Sequence, residues 1–289
     1  MKILLTGAKG QLGFKIAEIL SAGHDLILTD RDSLDITDQK KVADLVEKEN
    51  PDVIIQAAAY TKVDQAEEEV ELCQRINVDG TYHLARAAKE IKALMIYFST
   101  DYVFSGQKKT PYEETDKPEA LSVYGQTKHA GEKIVRYQGE KYYIIRTSWV
   151  FGETPKDYTG ANFVQKMLFL ANQYPELKVV NDQIGSPTYT KDLVEIVELL
   201  IDQYDSEVFL PFGIYHFSGE GECSWFDFAK EIFKQKKLPI AVKPIKTEEL
   251  PLKAQRPKYS YLSKEKIKQS LGIEVRSWQE MLAEYLAGQ

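Results

Sequence analysis

The stretch "KILLTGAKGQLGFKIAEIL", residues 2–20, decides the fold of this chain. Its first part, "KILLT", is a short apolar run that stops at a glycine-rich turn, which is typical of a buried strand. After the turn, Leu12, Ile16, Ile19 and Leu20 recur at helical spacing and predict an amphipathic helix. A strand, a glycine turn and a helix in this order begin a right-handed strand–helix–strand unit.

The same alternation continues along the first half of the chain. Further strands are predicted in "DLILTD", "PDVIIQAAA", "ALMIYFST" and "YYIIRTSWV". Between them, "TDQKKVADLVEKE" predicts a helix with Thr37 as its N-cap, and "AEEEVELCQRINVDGTYHLARAAKEI" predicts one long helical stretch. Strands that alternate with helices indicate a parallel sheet covered on both faces. We therefore predict an α/β fold, with a Rossmann-type doubly wound sheet over residues 1–149.

Strands and helices no longer alternate regularly over residues 150–289. Helices are predicted in "NFVQKMLFLANQ" and "TKDLVEIVELLIDQ", and short strands in "KVVND" and "GIYHFSG". Two capping boxes, Ser224 with Asp227 and Ser277 with Glu280, each open a late helix. We expect a smaller C-terminal substrate-binding lobe, some of whose segments return to the sheet.

Composition narrows the function classes. The net charge is −7 and no long Lys/Arg run occurs, which argues against a nucleic-acid partner. No run of 18 or more apolar residues exists, and the first residues lack the features of a signal peptide, so we expect no membrane partner. Cys73 and Cys223 form neither a metal motif nor a disulfide framework. We expect a cytoplasmic protein without a metal site.

The glycine turn has the pattern G-x-x-G-x-x-G, formed by Gly7, Gly10 and Gly13. Such glycines allow a tight turn, a close approach of backbone amides to a pyrophosphate, and close packing of helix on strand. The amides of Gln11 and Leu12 then lie at the helix N-terminus, where an anion is favoured. Because the pattern follows a strand and opens a helix, we predict that it binds a dinucleotide.

Two cues on the cofactor oppose each other. Asp30 ends the second strand, where an acid accepts from ribose hydroxyls and favours NADH, whereas Arg31 could bind a 2′-phosphate and favours NADPH. Both cofactors therefore stay open. At the end of the third strand, "AAAYT" supplies small residues that leave room for the ligand, and we place Ala57, Ala58 and Tyr60 in the cofactor site.

The candidate catalytic residues follow the fourth strand. Ser99, Thr100 and Asp101 lie in "STD", and Tyr124 and Lys128 lie four apart in "YGQTKHAGE", on one face of a predicted helix. A hydroxyl residue, a tyrosine and a lysine in this order resemble the extended short-chain dehydrogenase/reductase family. The resemblance spans nearly the whole chain.

Several further motifs support the resemblance through their order and number. They are "TGAKGQLG", "QAAAYT", "STDYVF", "YGQTKHAGE", "RTSWVFG", "NDQIGSPT", "GIYHFSG" and "RPKYSYL". Within the family, these pieces resemble the enzymes that reduce the C4 keto group of dTDP-4-dehydro-6-deoxy-L-mannose to dTDP-L-rhamnose with NADPH or NADH. Two positions depart from that pattern, since Gln56 and Tyr259 stand where asparagine is usual.

The spacing of tyrosine and lysine also suggests a mechanism. An ammonium about 5 Å from a phenol, at an effective dielectric of about 20, interacts by roughly 3 kcal/mol, or about two pKa units. We therefore expect Lys128 to lower the pKa of Tyr124, which would donate a proton to the carbonyl oxygen. The resemblance implies that Lys128 also bonds the nicotinamide ribose and that Thr100 bonds the carbonyl oxygen. It further implies that Ser99 lies beside the nicotinamide.

Three residues are candidates for contact with the substrate. Asp101 would bind a sugar hydroxyl, Trp149 would pack on the sugar or base, and Arg256 would pair with the pyrophosphate. A core tryptophan and a surface salt bridge are the respective structural alternatives for Trp149 and Arg256. A homodimer is compatible with the sequence.

Two other functions compete with the reductase. A sugar-nucleotide epimerase of the same superfamily would retain bound NAD through its cycle. A related dehydratase would have Asp-Glu after the threonine, where this chain has Asp101 and Tyr102. A non-catalytic NADP-binding regulatory subunit, like that of eukaryotic methionine adenosyltransferase, would not need Thr100, Tyr124 and Lys128 together.

Overall fold

The glycine turn leads into a parallel sheet in the computed structural model, which describes residues 1–206 and 210–289. The strands are β1 (Lys2–Thr6), β2 (Asp25–Thr29), β3 (Val53–Gln56), β4 (Leu94–Thr100), β5 (Tyr142–Thr147), β6 (Val150–Phe151), β7 (Glu176–Val180), β8 (Ile184–Gly185), β9 (Thr188–Tyr189), β10 (Gly213–His216), β11 (Cys223–Ser224) and β12 (Ala241–Ile245). The main sheet has the order β10-β5-β4-β3-β1-β2, and all of its pairs are parallel.

Helices cover both faces of this sheet. They are α1 (Gln11–Leu20), α2 (Gln39–Glu49), α3 (Val63–Ala66), α4 (Val70–Gln74), α5 (Gly80–Ile91), α6 (Val123–Gln138), α7 (Phe163–Ala171), α8 (Thr190–Asp205), α9 (Trp225–Gln235), α10 (Glu265–Leu271) and α11 (Trp278–Ala287). Ile3 and Leu5 of β1 belong to one core with residues of α1, α8 and α11. Leu4 between them belongs to a second core with residues of α2, α5 and α6. The predicted Rossmann-type sheet is confirmed.

The order of the strands fixes where a ligand can bind. The chain leaves β1 for β2 on one side and then crosses to β3 on the other side of β1. Carboxyl ends of parallel strands at such a reversal form a crevice for ligands. Gly7 follows β1, and Ala57 follows β3, so both residues lie at this crevice.

One predicted cap was wrong by one residue. Asp38, not Thr37, caps α2, because its side chain accepts a hydrogen bond from the Lys41 amide at 3.1 Å. The Thr37 hydroxyl donates instead to Asp35 at 2.8 Å. Both side chains can cap a helix, and the local turn decided between them.

The predicted long helix is also interrupted. It breaks into α3, α4, a π-helical turn at Arg75–Asp79, and α5. Asn77 lies inside that turn and points inward, where its amide bonds both backbone groups of Tyr60 and the hydroxyl of Thr127. A π-helical turn re-aims one side chain without ending the helix, and here it brings a buried amide to the end of β3.

The C-terminal part forms short two-stranded pieces beside the main sheet. β6 pairs with β9, β8 with β11, and β7 with β12, while β10 joins the main sheet next to β5. The two predicted capping boxes, Ser224 with Asp227 and Ser277 with Glu280, are confirmed at the starts of α9 and α11.

Candidate active site

The glycine turn is packed too tightly for side chains. Gly7 has a φ of +75°, and a Cβ on it would lie 2.6 Å from the backbone nitrogen of Ala58. A Cβ on Gly13 would lie 2.1 Å from the carbonyl oxygen of Gly7. Gly10 is the N-cap of α1 and has no side chain to occupy the amides of the first turn. The amides of Gln11, Leu12 and their neighbours can therefore meet an anion.

A cavity of about 200 Å³ opens beside this turn. Gly7, Asp30, Arg31 and Ala58, all expected at the cofactor site, contribute to its lining. An ion pair with Lys9 and the amides of its own turn lower the pKa of Asp30 to about 2, so its carboxylate is charged at neutral pH. The walls and charge of this cavity suit the adenosine end of a dinucleotide.

Arg75 also lines this cavity, although no sequence motif points to it. Arg75 begins the π-helical turn and shares the lining of this cavity with Arg31. Hydrogen bonds from Thr37 lower the pKa of Asp35 against its partial burial, and the charges of Arg31 and Arg75 add to the lowering. An arginine pair can hold a phosphate more firmly than one arginine.

The end of β3 is anchored through Tyr60. Its amide donates to the Asn77 side chain at 2.8 Å, and its phenol donates to Glu69 at 2.8 Å. Ala57 and Ala58 precede it against the glycine turn. The sequence signal for Asn77 is an asparagine in the middle of a segment whose pattern is otherwise helical.

Thr100, Tyr124 and Lys128 meet at the carboxyl end of β4. Helix α6 starts there because the Ser122 hydroxyl accepts a hydrogen bond from the Gly125 amide at 3.2 Å. Tyr124 therefore lies in the first turn, hydrogen-bonded to Thr100, and Lys128 lies one turn later. A Cβ at Gly125 would be 2.2 Å from the Tyr102 carbonyl oxygen, so the helix approaches the strand end closely.

The prediction that Lys128 lowers the pKa of Tyr124 was wrong for the protein without a ligand. Burial raises the pKa of Tyr124 far above its usual range, and its bond to Thr100 offsets this only in part. Burial also lowers the pKa of Lys128 to about 7, although Glu132 opposes the shift. Both groups prefer their neutral forms in an apolar site, and burial is the largest cause of each shift.

Asp101 is buried and both of its carboxylate oxygens are engaged. The Thr100 hydroxyl donates to one oxygen at 3.1 Å and the Ser260 hydroxyl to the other at 2.6 Å. Burial raises the pKa of Asp101 to about 6. A substrate hydroxyl at Asp101 would have to share an oxygen with one of these two partners.

Ser99 turns away from the crevice and into a buried charge network. Its hydroxyl donates to Glu132 at 2.5 Å, and Arg146 of β5 binds the same carboxylate through two bonds of 2.7 Å. His216, buried as expected for a core histidine, bonds Arg146 at 3.3 Å. This network fixes α6 against β4 and β5, two turns beyond Tyr124.

Trp149 follows β5 in a left-handed conformation, with a φ of +48°. Its ring stacks on Trp225 with centroids 3.6 Å apart, and a Cβ at Gly185 would be 2.9 Å from it. An L-residue in this conformation is strained and is often found at ligand sites. The stacking partner Trp225 was not identified from the sequence.

Arg256 is held by an acid of the N-terminal half. Its guanidinium donates to the two oxygens of Asp64 at 3.0 and 2.5 Å, and Asp64 also accepts from the amides of Lys253 and Ala254. Arg256 lines a groove of about 600 Å³ and hydrogen-bonds Tyr102, which packs edge-on against Tyr124. The ion pair is therefore present, and it lies next to the candidate catalytic residues.

A match to one known protein family extends over the whole chain that carries this site. The family model described as the RmlD substrate binding domain matches residues 1–289. The chain belongs to the RmlD family. Within the residues described, this RmlD-family chain has no helix that is long and apolar enough to cross a bilayer.

Named relatives of this RmlD-family chain extend over nearly its whole length. The spore coat polysaccharide biosynthesis protein SpsK of Bacillus subtilis is 42% identical, covering 99% of this chain and 96% of its own. A dTDP-4-dehydrorhamnose reductase of Aggregatibacter actinomycetemcomitans is 41% identical, covering 97% of both chains. The crystal structure of the Bacillus anthracis dTDP-4-dehydrorhamnose reductase, in complex with NADP, is 40% identical and covers 100% of this chain and 99% of its own, with a TM-score of 0.94.

Proposed function

We propose that this chain reduces the C4 keto group of dTDP-4-dehydro-6-deoxy-L-mannose to give dTDP-L-rhamnose, with NADPH as the donor and NADH as the alternative. The observation that carries the proposal is the meeting of Thr100, Tyr124 and Lys128 at the crevice opened by the glycine turn. The relatives named as dTDP-4-dehydrorhamnose reductases supply the substrate.

The residues present fit a nicotinamide dinucleotide. A Cβ at Gly7 or Gly13 would collide with backbone atoms, so these glycines keep the turn compact, and Gly10 leaves the first amides of α1 without a side chain in front of them. Gln11 and Leu12 would donate their amides to the pyrophosphate, and Asp30 and Arg31 would flank the adenosine ribose. When bound, the reduced nicotinamide supplies the hydride that C4 of the sugar receives.

Tyr124 supplies the proton in this proposal. Because its pKa is raised, the phenol is fully protonated at neutral pH, which is the form that a general acid needs. As hydride reaches C4, the phenol transfers its proton to the sugar oxygen O4. Lys128, when charged, stabilises the phenolate that is left, and Thr100 bonds the carbonyl oxygen as it gains negative charge.

The remaining predicted residues have supporting roles. Lys128 would also bond the nicotinamide ribose, while Ala57, Ala58 and Tyr60 would shape the cofactor site. Ser99, whose hydroxyl bonds Glu132, would contribute to the cofactor site only indirectly, through that bond. Further contacts with the substrate are assigned by position: Asp101 to a sugar hydroxyl, Trp149 to the sugar or base, and Arg256 to the diphosphate, in exchange for Asp64.

At a larger scale, we assign cofactor binding to residues 1–149 and mainly substrate binding to residues 150–289. Strand β10 of the second part returns to the main sheet. We further propose a cytoplasmic location, where NADPH and reduced cysteines are both maintained, since Cys73 and Cys223 are free thiols. A homodimer is the assembly we would test for, by sedimentation velocity.

The reaction is tested with the keto-sugar generated in place by the preceding enzymes. We expect the absorbance of NADPH to fall only when the keto-sugar is present, and the product to gain two hydrogens by mass spectrometry. An epimerase would instead be purified with stoichiometric NAD and consume no NADPH. A regulatory subunit would give no turnover and would retrieve a larger enzyme in a pull-down. Either result would refute the reductase.

A further inference from the structure

Tyr97 of β4 lies directly beneath the Lys128 side chain. The Lys128 Nζ atom is 4.0 Å from the centroid of the Tyr97 ring, and the Tyr97 hydroxyl donates to the Lys128 carbonyl oxygen at 3.2 Å. Tyr97 is fully buried and Lys128 is 3% exposed. The ring therefore meets the amine on its face and the helix backbone at its edge.

The helix is shaped to admit this ring. A Cβ at Gly131, one turn after Lys128, would lie 2.2 Å from the Tyr97 hydroxyl oxygen. A glycine in the middle of a helix is destabilising by roughly 0.5–1 kcal/mol relative to alanine. Here it lets the tyrosine reach under the backbone of α6, so the approach of ring and amine is built into both elements.

An amine in this place needs compensation to stay charged. Burial favours the neutral amine of Lys128, and the carboxylate of Glu132 on the next turn opposes this. An aromatic face attracts a cation, most strongly where water is excluded. Tyr97 is thus a second group that favours the ammonium, and it acts at closer range.

We propose that Tyr97 is a positioning residue. The face of its ring holds the Lys128 amine in place beside the catalytic crevice and favours its charged form. The inference deepens the proposed function, because it concerns the lysine assigned there to the nicotinamide ribose and the Tyr124 phenolate. Nothing in the sequence motifs points to Tyr97, which lies two residues before Ser99 in a continuous apolar strand.

The charged and titratable groups around Lys128 come from three elements besides β4. Helix α6 contributes Glu132 and Tyr124, and α4 contributes Cys73, whose pKa burial raises. Behind Glu132 lies Arg146 of β5, which neutralises much of its charge. The Tyr97 ring is therefore a further group that favours the cation, besides Glu132.

A first test needs no substitution at Tyr97. In the cofactor-free chain labelled with ¹³C at the lysine ε-carbons, the Lys128 ε-protons should resonate upfield of most lysines, because they lie over a ring. The resonance is assigned by its loss in Lys128→Arg. A Lys128 ε-resonance without an upfield shift would overturn the proposal, whether or not any variant folds.

A second test separates the ring from its hydroxyl. Tyr97→Leu removes the face, and the titration midpoint of Lys128 should move down by about 0.5 to 1 pH unit. Tyr97→Phe keeps the face and loses only the bond to the helix, so its midpoint should stay unchanged. The matched control is Tyr215→Leu, since Tyr215 is equally buried and carries a different lysine, Lys266, at 4.1 Å.

Binding of NADPH gives a third readout. With less ammonium present, Tyr97→Leu should weaken binding by up to about tenfold at pH 8 and by less than about twofold at pH 6, by the same arithmetic. Equal weakening at both pH values, or a shift of Lys128 in Tyr215→Leu as large as in Tyr97→Leu, would reduce Tyr97 to a packing residue. Because the titration is measured without cofactor, it can succeed even if the keto-sugar reductase assay fails.

Discussion

One end of the proposed dinucleotide site is formed by backbone groups, and the other end is formed by side chains. At the pyrophosphate end, the glycine turn presents backbone amides, and side chains are absent because Gly7 and Gly13 leave no space for them. At the nicotinamide end, the side chains of buried Thr100 and Lys128 and of half-buried Tyr124 come together. A backbone site depends on sterics alone, whereas a buried side-chain site depends on protonation, and protonation depends on everything packed around it.

The largest effect is expected at the side-chain end. Tyr124→Phe keeps the ring and its edge-on contact with Tyr102 but removes the proton donor. General acid catalysis contributes typically 10²- to 10⁴-fold, so kcat should fall by about that factor while the Kd for NADPH changes little. Steady-state kinetics and calorimetry measure the two quantities. A kcat within a few-fold of the original would remove Tyr124 from the role of proton donor.

The next prediction concerns stability and pH. The pKa of Lys128 is about 7 in the folded chain, whereas an unfolded lysine has a pKa near 10.4. Between these values only the unfolded chain binds the proton, so this residue makes stability rise with pH there. Below pH 7 both states are protonated, and the folded state bears the full penalty of a buried charge.

Lys128→Met should therefore stabilise the fold while destroying the site. The gain in the free energy of unfolding should be on the order of 4 to 5 kcal/mol at pH 6 to 7 and should vanish near pH 10, since one pKa unit is about 1.4 kcal/mol. Urea unfolding across this pH range measures it. As a control, Lys48→Met on the surface of α2 should show no such trend. If the free energy of unfolding of Lys128→Met differed from that of the original chain by the same amount at every pH, burial of a charged Lys128 would not destabilise the fold.

Part of this arrangement could be predicted from the sequence. Apolar runs, glycines and helical periodicity are local signals, and they predicted the sheet, the glycine turn and the placement of Tyr124 and Lys128. The inward turn of Asn77 and the choice of Asp38 over Thr37 were not predicted, because both depend on which partner lies nearby in space.

The pKa of Tyr124 illustrates the same limit more sharply. A pairwise estimate from helical spacing gives the attraction of phenolate and ammonium but not the burial of either group, and burial is the larger effect here. The partnership of Arg256 with Asp64 joins residues 192 positions apart, which no local pattern reveals.

The backbone end is tested by adding a single methyl group. Gly13→Ala places its Cβ 2.1 Å from the Gly7 carbonyl oxygen, so the turn or α1 must shift. Overpacking of this kind typically destabilises by about 1–3 kcal/mol, and binding of NADPH should weaken by at least about tenfold. Gly23→Ala is the matched control, because no heavy atom lies within 4 Å of its Cβ. If both variants bind NADPH equally, the turn does not approach the pyrophosphate.

The smallest effects are expected at the contact between the N-terminal half and the segment at Lys253–Arg256, where two ion pairs differ in burial. Asp64 and Arg256 form the inner pair, with the Arg256 side chain 14% exposed, and Glu68 and Lys253 form the outer pair, with both side chains more than half exposed. Exposed pairs contribute about 0–1 kcal/mol, so Lys253→Ala should change neither stability nor kinetics measurably.

Asp64→Asn should behave differently, because it removes the carboxylate that pairs with Arg256 at the groove. Loss of hydrogen bonds to a charged group should lower the free energy of unfolding by about 1 kcal/mol. The Arg256 guanidinium, which lines the groove but is no longer paired with a carboxylate, should then change the KM for the keto-sugar more than kcat, since Arg256 is proposed to meet the diphosphate and not the reacting carbon. An unchanged KM in Asp64→Asn, with the same loss of stability, would make Arg256 a structural residue and would confine the functional side chains to the β4–α6 end of the crevice.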